Sequence, residues 1–314
     1  MKRIVYLSWP PSEITGGIKL IFQHVELLAD AGLDVVVAAE GSGQSSWFKS
    51  SARVVDLGEI QKEDILVFPE NHAGLLHEFA SAANPKVIYC QNPFMIYRGL
   101  NGKTDYREFG VSGILALGRF TTDFCRNRFV KLPILNVPAV VSPNVFHFHP
   151  EKRLQIAFAP RKRPMEVEFI HDLFVANYPA WRSVPWIQID QLPELDVARV
   201  LKQSAVYLSL QRFEAVGLSA LEAMACGCTV AGFTGVGGRE YANDANGFWA
   251  AEDDLLDCTR QLSRAVESVQ SGSSHSQDIL EQANRAANFY SIERLTNRIV
   301  PFWKAFAQEG EWPS

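Results

Sequence analysis

The chain has 314 residues, 47% of them hydrophobic and 21% charged, and a formal net charge of −5. That length suggests about two domains, and the composition excludes a mostly disordered chain, a collagen-like rod and a disulfide-dense miniprotein. No apolar run approaches the roughly 18 residues of a membrane-spanning helix, and the most apolar stretch, Leu132 to Val145, is broken by Pro133, Pro138 and Pro143.

The charge is unevenly spread. Residues 1–150 carry 14 Lys+Arg and 14 Asp+Glu, so the acidic excess lies in the second half. Within the first half, residues 98–131 hold seven cations against three anions. Such a patch suits an anionic acceptor or a membrane surface, and a solvated helix face is the competing reading. The balance lacks the basic footprint of a nucleic-acid binder. The five cysteines are scattered, with no second pair or nearby histidine to complete a zinc set. They read as small buried residues of a reducing compartment.

Met1-Lys2-Arg3 followed by IVYLSW imitates a signal peptide, but the apolar part is short and runs into Pro10-Pro11. It reads as a first strand, RIVYLS at 3–8, of a cytoplasmic chain. Thr15-Gly16-Gly17 follows, then a helix with Ile18, Ile21, Phe22, Val25 and Leu28 on one face and Gly32 at its end. VVVAA (35–39), ILVF (65–68), VIYC (87–90) and GILAL (113–117) are further strands, near-continuous apolar runs suited to parallel strands covered on both faces. The stretch from Phe94 to Ser112 reads as a long irregular segment, rich in Tyr, Arg and Gly, either an acceptor-side loop or disorder.

A second start follows His147. Strands are expected at 155–159, 186–189, 205–210 and 228–233, with helices near 165–176, 194–203, 217–226 and 254–268. The tail from Ser291 carries Ile292, Leu295, Ile299 and Phe302 at helical spacing. The expected class is therefore α/β, with two Rossmann-like doubly wound parallel-sheet domains. The expected boundaries are 1–148, 149–290 and a C-terminal helix at 291–314 that packs back towards the first domain.

Three segments carry chemistry. In FEAVGLSALEAMACG (213–227), Glu214 sits just past a strand and Gly217 opens a helix. Unpaired amides and the dipole at such a helix start favour an anion such as phosphate. Glu222, further along that helix, suits a ribose diol. Arg161, Lys162 and Arg163 follow the strand QIAFA, where three cations can neutralise a diphosphate. Gly16-Gly17 lets a backbone approach a ligand closely, and it is not the G-x-G-x-x-G of nicotinamide enzymes. The competing readings are a solvated basic turn and an amphipathic helix with two surface glutamates.

The segment 213–227 resembles the retaining glycosyltransferases of family 4. Glu214 and Glu222 match the family's Glu-x7-Glu spacing within E-G-F-G-L-x-x-L-E-A-M-A-C-G, with departures at Ala215 and Val216. TGVGGREYANDANGFW (234–249) is similar to the family's Gly-Gly turn and late strand. The resemblance implies the GT-B fold, two Rossmann-like domains facing a central cleft, and transfer of a sugar from a nucleotide-sugar to a hydroxyl acceptor with retention. It implies Glu214 on the donor sugar's hydroxyls, two of Arg161, Lys162 and Arg163, in that order of preference, on the donor diphosphate, Gly217 and Leu218 amides on the phosphate, Glu222 on the ribose, and Gly16-Gly17 against the donor. Family members carry a histidine near Gln91, so no His-assisted step is expected. Gln91, Asn92 and Arg98 are assigned to the acceptor side, whose ligand is read as anionic or membrane-associated, with the protein at the inner membrane face. No Asp-x-Asp occurs, so neither metal nor other cofactor is expected beyond the nucleotide-sugar co-substrate. Another GT-B reaction, such as epimerisation or phosphorolysis, and a non-catalytic sugar-nucleotide binder are the alternatives.

Overall fold

The structure is a computed structural model that describes residues 1–41 and 43–313; Ser42 and Ser314, the last residue of the expected tail, lie outside the described residues. The chain forms two compact units. The first comprises Met1–Ala139 and the segment from Glu293 onward, and the second Val140–Ile292.

The first unit runs β1 (Ile4–Leu7), α1 (Gly16–Asp30), β2 (Val35–Ala38), β3 (Val54–Val55), β4 (Ile65–Pro69), α2 (Ala73–Glu78), β5 (Lys86–Cys90), α3 (Ile96–Leu100), β6 (Val111–Leu117), α4 (Gly118–Arg128) and β7 (Ile134–Val137). Its seven parallel strands are ordered β3-β2-β1-β4-β5-β6-β7. The order reverses direction between β1 and β4, so the carboxyl ends of those two strands flank a crevice where open α/β sheets take ligands. Val5, Leu7, Leu66, Phe68, Ile88 and Ile114 are fully buried on the sheet, as continuous apolar strands require.

The second unit runs β8 (Arg153–Phe158), α5 (Pro164–Asn177), β9 (Trp186–Gln188), α6 (Glu194–Gln203), β10 (Ser204–Leu210), α7 (Leu218–Cys226), β11 (Thr229–Phe233), β12 (Phe248–Trp249), α8 (Leu255–Ser271) and α9 (Ser274–Asn288). Its parallel order is β12-β11-β10-β8-β9, with the switch point between β8 and β10.

The division between units falls nine residues before the expected one, after Ala139 rather than 148. The reason is local: Val141 N–H donates to Tyr290 at 2.9 Å and His149 N–H to Cys226 at 3.3 Å, which ties residues 140–149 to the second unit. The segment 94–112 is ordered rather than irregular. It holds α3 and a capped turn at Tyr106–Phe109, with Ile96, Leu100, Tyr106 and Phe109 buried.

The final helix, α10 (Ile292–Glu309), buries Leu295, Ile299, Phe302, Trp303 and Phe306. These fall at three- and four-residue spacing and form one stripe. Lys2 N–H donates to Ala307 at 3.0 Å, and Trp303 Nε1 donates to the buried Tyr6 hydroxyl at 3.0 Å. Trp303→Phe removes that donor and leaves a void where the larger indole was buried. It is expected to cost the first unit about 1–3 kcal/mol in urea unfolding, and an unchanged midpoint would show that neither the bond nor the indole's packing contributes. Among the described residues, no helix is long and apolar enough to cross a membrane.

Candidate functional site

In the second unit, β8 and β10 are neighbours although two helices and a strand separate them in sequence. Their carboxyl ends therefore bring Arg161 and Lys162, in a short turn after β8, to Glu214, just past β10. Lys162 Nζ lies 3.2 Å from Glu214 Oε1 and an Arg161 guanidinium nitrogen 4.0 Å from it. Lys162 and Glu214 are each about three-quarters covered and Arg161 is exposed, so the pair sits at a rim. Two cations on one carboxylate leave a local surplus of positive charge.

Gly217 closes this arrangement. It caps α7 in the left-handed region, φ +81°, and no side chain caps the helix start. The first-turn amides, beginning at Leu218, thus carry the partial positive charge of a helix N-terminus. The Gly217 carbonyl accepts from Gln211 Nε2 at 2.9 Å and from the Tyr241 hydroxyl at 2.8 Å. Gln211 Nε2 also donates to the Tyr241 hydroxyl at 3.0 Å. Because a carbonyl only accepts, these bonds fix which end of the Gln211 amide faces Gly217. Glu222 lies one turn along α7, half-buried. Burial is the main reason the Tyr207 phenol is pushed above its ordinary pKa; Glu222 and Glu214 add to the rise.

Arg163 corrects an expectation. Its side chain is fully buried and turned away from the rim. Nε donates to the Gln211 carbonyl at 3.0 Å, one terminal nitrogen to Asp253 at 2.5 Å and the other to Glu252. The guanidinium lies 4.1 Å over the Phe233 ring. With Pro164 opening α5 directly behind it, residue 163 turns inward, so Arg163 braces the loops and does not join Arg161 and Lys162 at the rim.

In the first unit, Gly16 and Gly17 open α1 past the end of β1. Gln91, past the end of β5, donates from Nε2 to the Gly17 carbonyl at 2.9 Å. A Cβ on Gly17 would lie 2.4 Å from Gln91 Oε1, so a larger residue there would displace the Gln91 amide. Asn92 caps the next turn by accepting from Phe94 N–H at 3.1 Å. Arg98 is apart from this group: it folds onto exposed Tyr97, with Nε 3.1 Å from the phenol oxygen.

Three residues here were not singled out from sequence. Glu70, just past β4, is buried and accepts from the amides of Gln91 at 2.9 Å and Asn92 at 3.1 Å. His72 caps α2 through Nδ1 and stacks on Trp9, with ring centroids 3.9 Å apart. Gln211 is the third. For Glu70 a signal was present: a carboxylate directly after a buried strand, the placement that marks Glu214.

A sequence model of the family described as Glycosyl transferases group 1 matches residues 185–285, a span within the second unit that includes Glu214, Gly217 and Glu222. Over 317 residues the chain is 27% identical to an alpha-1,6-glucosyltransferase of Actinobacillus pleuropneumoniae serotype 7 (strain AP76), covering 95% of this chain and 96% of that one. Anabaena HepE, solved with UDP and glucose, shares the fold at a TM-score of 0.70 and 11% identity, over 97% of this chain and all of its own. TarM of S. aureus shares it at a TM-score of 0.62 and 14% identity over 78% of this chain. The chain spans 56% of TarM. The class is thus an α/β protein of two Rossmann-like parallel-sheet domains, the fold of the GT-B glycosyltransferases.

Proposed function

We propose that the protein is a retaining glycosyltransferase that moves a hexose from a nucleotide-sugar donor to a hydroxyl acceptor. The observation that carries this is the meeting of Lys162, Arg161 and Glu214 beside the uncapped start of α7. The UDP and glucose bound by HepE and the activity named for the Actinobacillus relative support UDP-glucose as the first donor to try.

On this reading Lys162, Arg161 and the amides from Leu218 stabilise charge as it develops on the departing diphosphate. Glu214 holds sugar hydroxyls and Glu222 the ribose diol, each accepting charge-assisted hydrogen bonds. The leaving phosphate takes the acceptor's proton as the new bond forms on the same face, so the chain's task is placement of the reactants and charge stabilisation. Cations and amides supply the positive charge, and no divalent metal is required. The Gly16–Gly17 turn and Gln91 belong to the donor-facing and acceptor-facing ends of the first unit. The cations of residues 98–131 suit an acceptor that carries negative charge or sits at a membrane face. Five free, buried cysteines fit a cytoplasmic setting.

The test is release of UDP from UDP-glucose in the presence of candidate acceptors and excess EDTA. Turnover is expected to persist, and the product's anomeric proton to show the configuration of the donor. Turnover that collapses in EDTA and returns with Mg²⁺ would overturn the metal-free reading. An inverted anomeric centre would overturn retention, and absence of any turnover with all common nucleotide-sugars would overturn transfer itself.

A further inference from the structure

In the first unit, Glu70 forms the hub of a connected set of contacts. Its carboxylate accepts the Gln91 amide at one oxygen, 2.9 Å, and the Asn92 amide at the other, 3.1 Å. Its own carbonyl accepts from the Tyr106 hydroxyl at 2.5 Å. The same carbonyl lies 1.8 Å from where a Gly99 Cβ would be, so α3 packs directly on the Glu70 backbone. Gln91, held by that carboxylate, reaches Gly17 with its side chain at 2.9 Å. One buried residue thereby connects the segment 94–112, through its carbonyl, with the ends of β4 and β5 and the β1–α1 turn, through its carboxylate.

Burying a carboxylate is costly unless its lone pairs are filled. A packing role alone would be met by an apolar residue or a glutamine. Two backbone amides on two oxygens of one side chain need an acceptor at both positions, which an ionised carboxylate provides and a glutamine does not. We infer that Glu70 is a positioning residue whose carboxylate sets the Gln91–Asn92 backbone and, through the Gln91 side chain, the shape of the Gly16–Gly17 turn. This deepens the transferase reading and rests on it only for the effect on sugar transfer.

The inference has a pH signature. Burial pushes the Glu70 carboxyl up to about 7, against the opposing pull of the amide hydrogen bonds. The titratable groups near it are Tyr89 and Cys90 on β5 and Tyr106 on the turn before β6, all raised well above their ordinary values by burial. They stay neutral as Glu70 titrates. Above the midpoint both oxygens accept as a carboxylate; below it one becomes a hydroxyl, a much weaker acceptor, and its amide is held less firmly. The turn is therefore held at higher pH and released at lower pH.

The experiment follows the ¹⁵N-labelled full chain by NMR from about pH 5.5 to 9, alongside donor kinetics where transfer is measured. In the wild type the Gln91 and Asn92 amides are expected to titrate together with a midpoint near 7, and Gly17 to follow with the same midpoint. In Glu70→Gln all three should become flat, and kcat/KM for the donor should fall by about tenfold, the loss of a hydrogen bond to a charged group, mostly through KM. Gln91→Leu supplies a second variant: Asn92 should still titrate while Gly17 no longer does. Flat Gln91 and Asn92 resonances in the wild type, or Gly17 titrating unchanged in Gln91→Leu, would overturn the inference. If no nucleotide-sugar is turned over but the resonances titrate as described, the transferase reading fails and the Glu70 relay stands. If transfer occurs and the resonances are flat, only the relay fails.

Discussion

Replacing Arg163 by alanine is expected to lower the stability of the second unit by about 3–5 kcal/mol, from the void left by a large buried side chain and the loss of its hydrogen bonds to charged partners. The guanidinium is fully buried, meets Glu252 and Asp253 and has Glu166 within 3.7 Å. It also supplies a hydrogen bond to the Gln211 carbonyl and a face to the Phe233 ring. Removal leaves a void beside Phe233, an unpaired carbonyl and carboxylates that repel one another. Arg163→Lys keeps the charge but offers one point of contact where the fork offers three, so an intermediate loss is expected. Hydrogen exchange of the β10 and β11 amides reads the effect within the second unit alone. A loss below about 1 kcal/mol, the range of exposed pairs, would show that the ring of acids gains nothing from the arginine.

Gly217→Ala is expected to be the second large effect. At φ +81° a side chain is strained, by about 1–2 kcal/mol. Space is the harder obstacle, because the new Cβ would lie 1.8 Å from Gln211 Oε1 and 2.4 Å from its carbonyl carbon. Gln211 must then swing out and abandon its bonds to the Gly217 carbonyl and the Tyr241 hydroxyl, each worth about 1 kcal/mol. The sum is roughly 3 kcal/mol locally, and the start of α7 shifts with it. Donor binding, measured calorimetrically with UDP, should weaken by more than tenfold while thermal unfolding stays cooperative. A variant that binds UDP as the parent does would separate α7 from the nucleotide.

Much of this was legible because it is local. Strand runs such as ILVF and VVVAA are buried on both faces and announce themselves without partners. Glu214, Gly217 and Glu222 sit on a strand end and the helix after it, where spacing alone places them. What escaped is what needs a third dimension. Three adjacent cations at 161–163 look alike in sequence, and only packing turns Arg163 inward while Arg161 and Lys162 meet Glu214. The Pro164 behind them, fixed at a helix start, is the signal that distinguishes residue 163. β3 and β12 are two residues long, and β7 lies among prolines, so neither length nor alternation marks them. In 94–112, the buried Ile96, Leu100, Tyr106 and Phe109 line a five-residue helix and a turn too short to show a period. Glu70 carries the same strand-end signal as Glu214, but its partners are backbone amides, so no second motif residue draws attention to it.

The return of α10 to the first unit has a consequence for the order in which the protein is made. The second unit, Val140–Ile292, is contiguous, whereas the first is completed only from Glu293 onward. During synthesis the second unit can close around its own core as soon as it leaves the ribosome, since domains fold as units during translation. The first unit meanwhile waits with its sheet made but the surface meant for Leu295, Ile299, Trp303 and Phe306 uncovered. At about 5–20 residues per second, making the 153-residue second unit takes roughly 8–30 s. For that interval the nascent first half presents an apolar seam beside Tyr6, which α10 later seals.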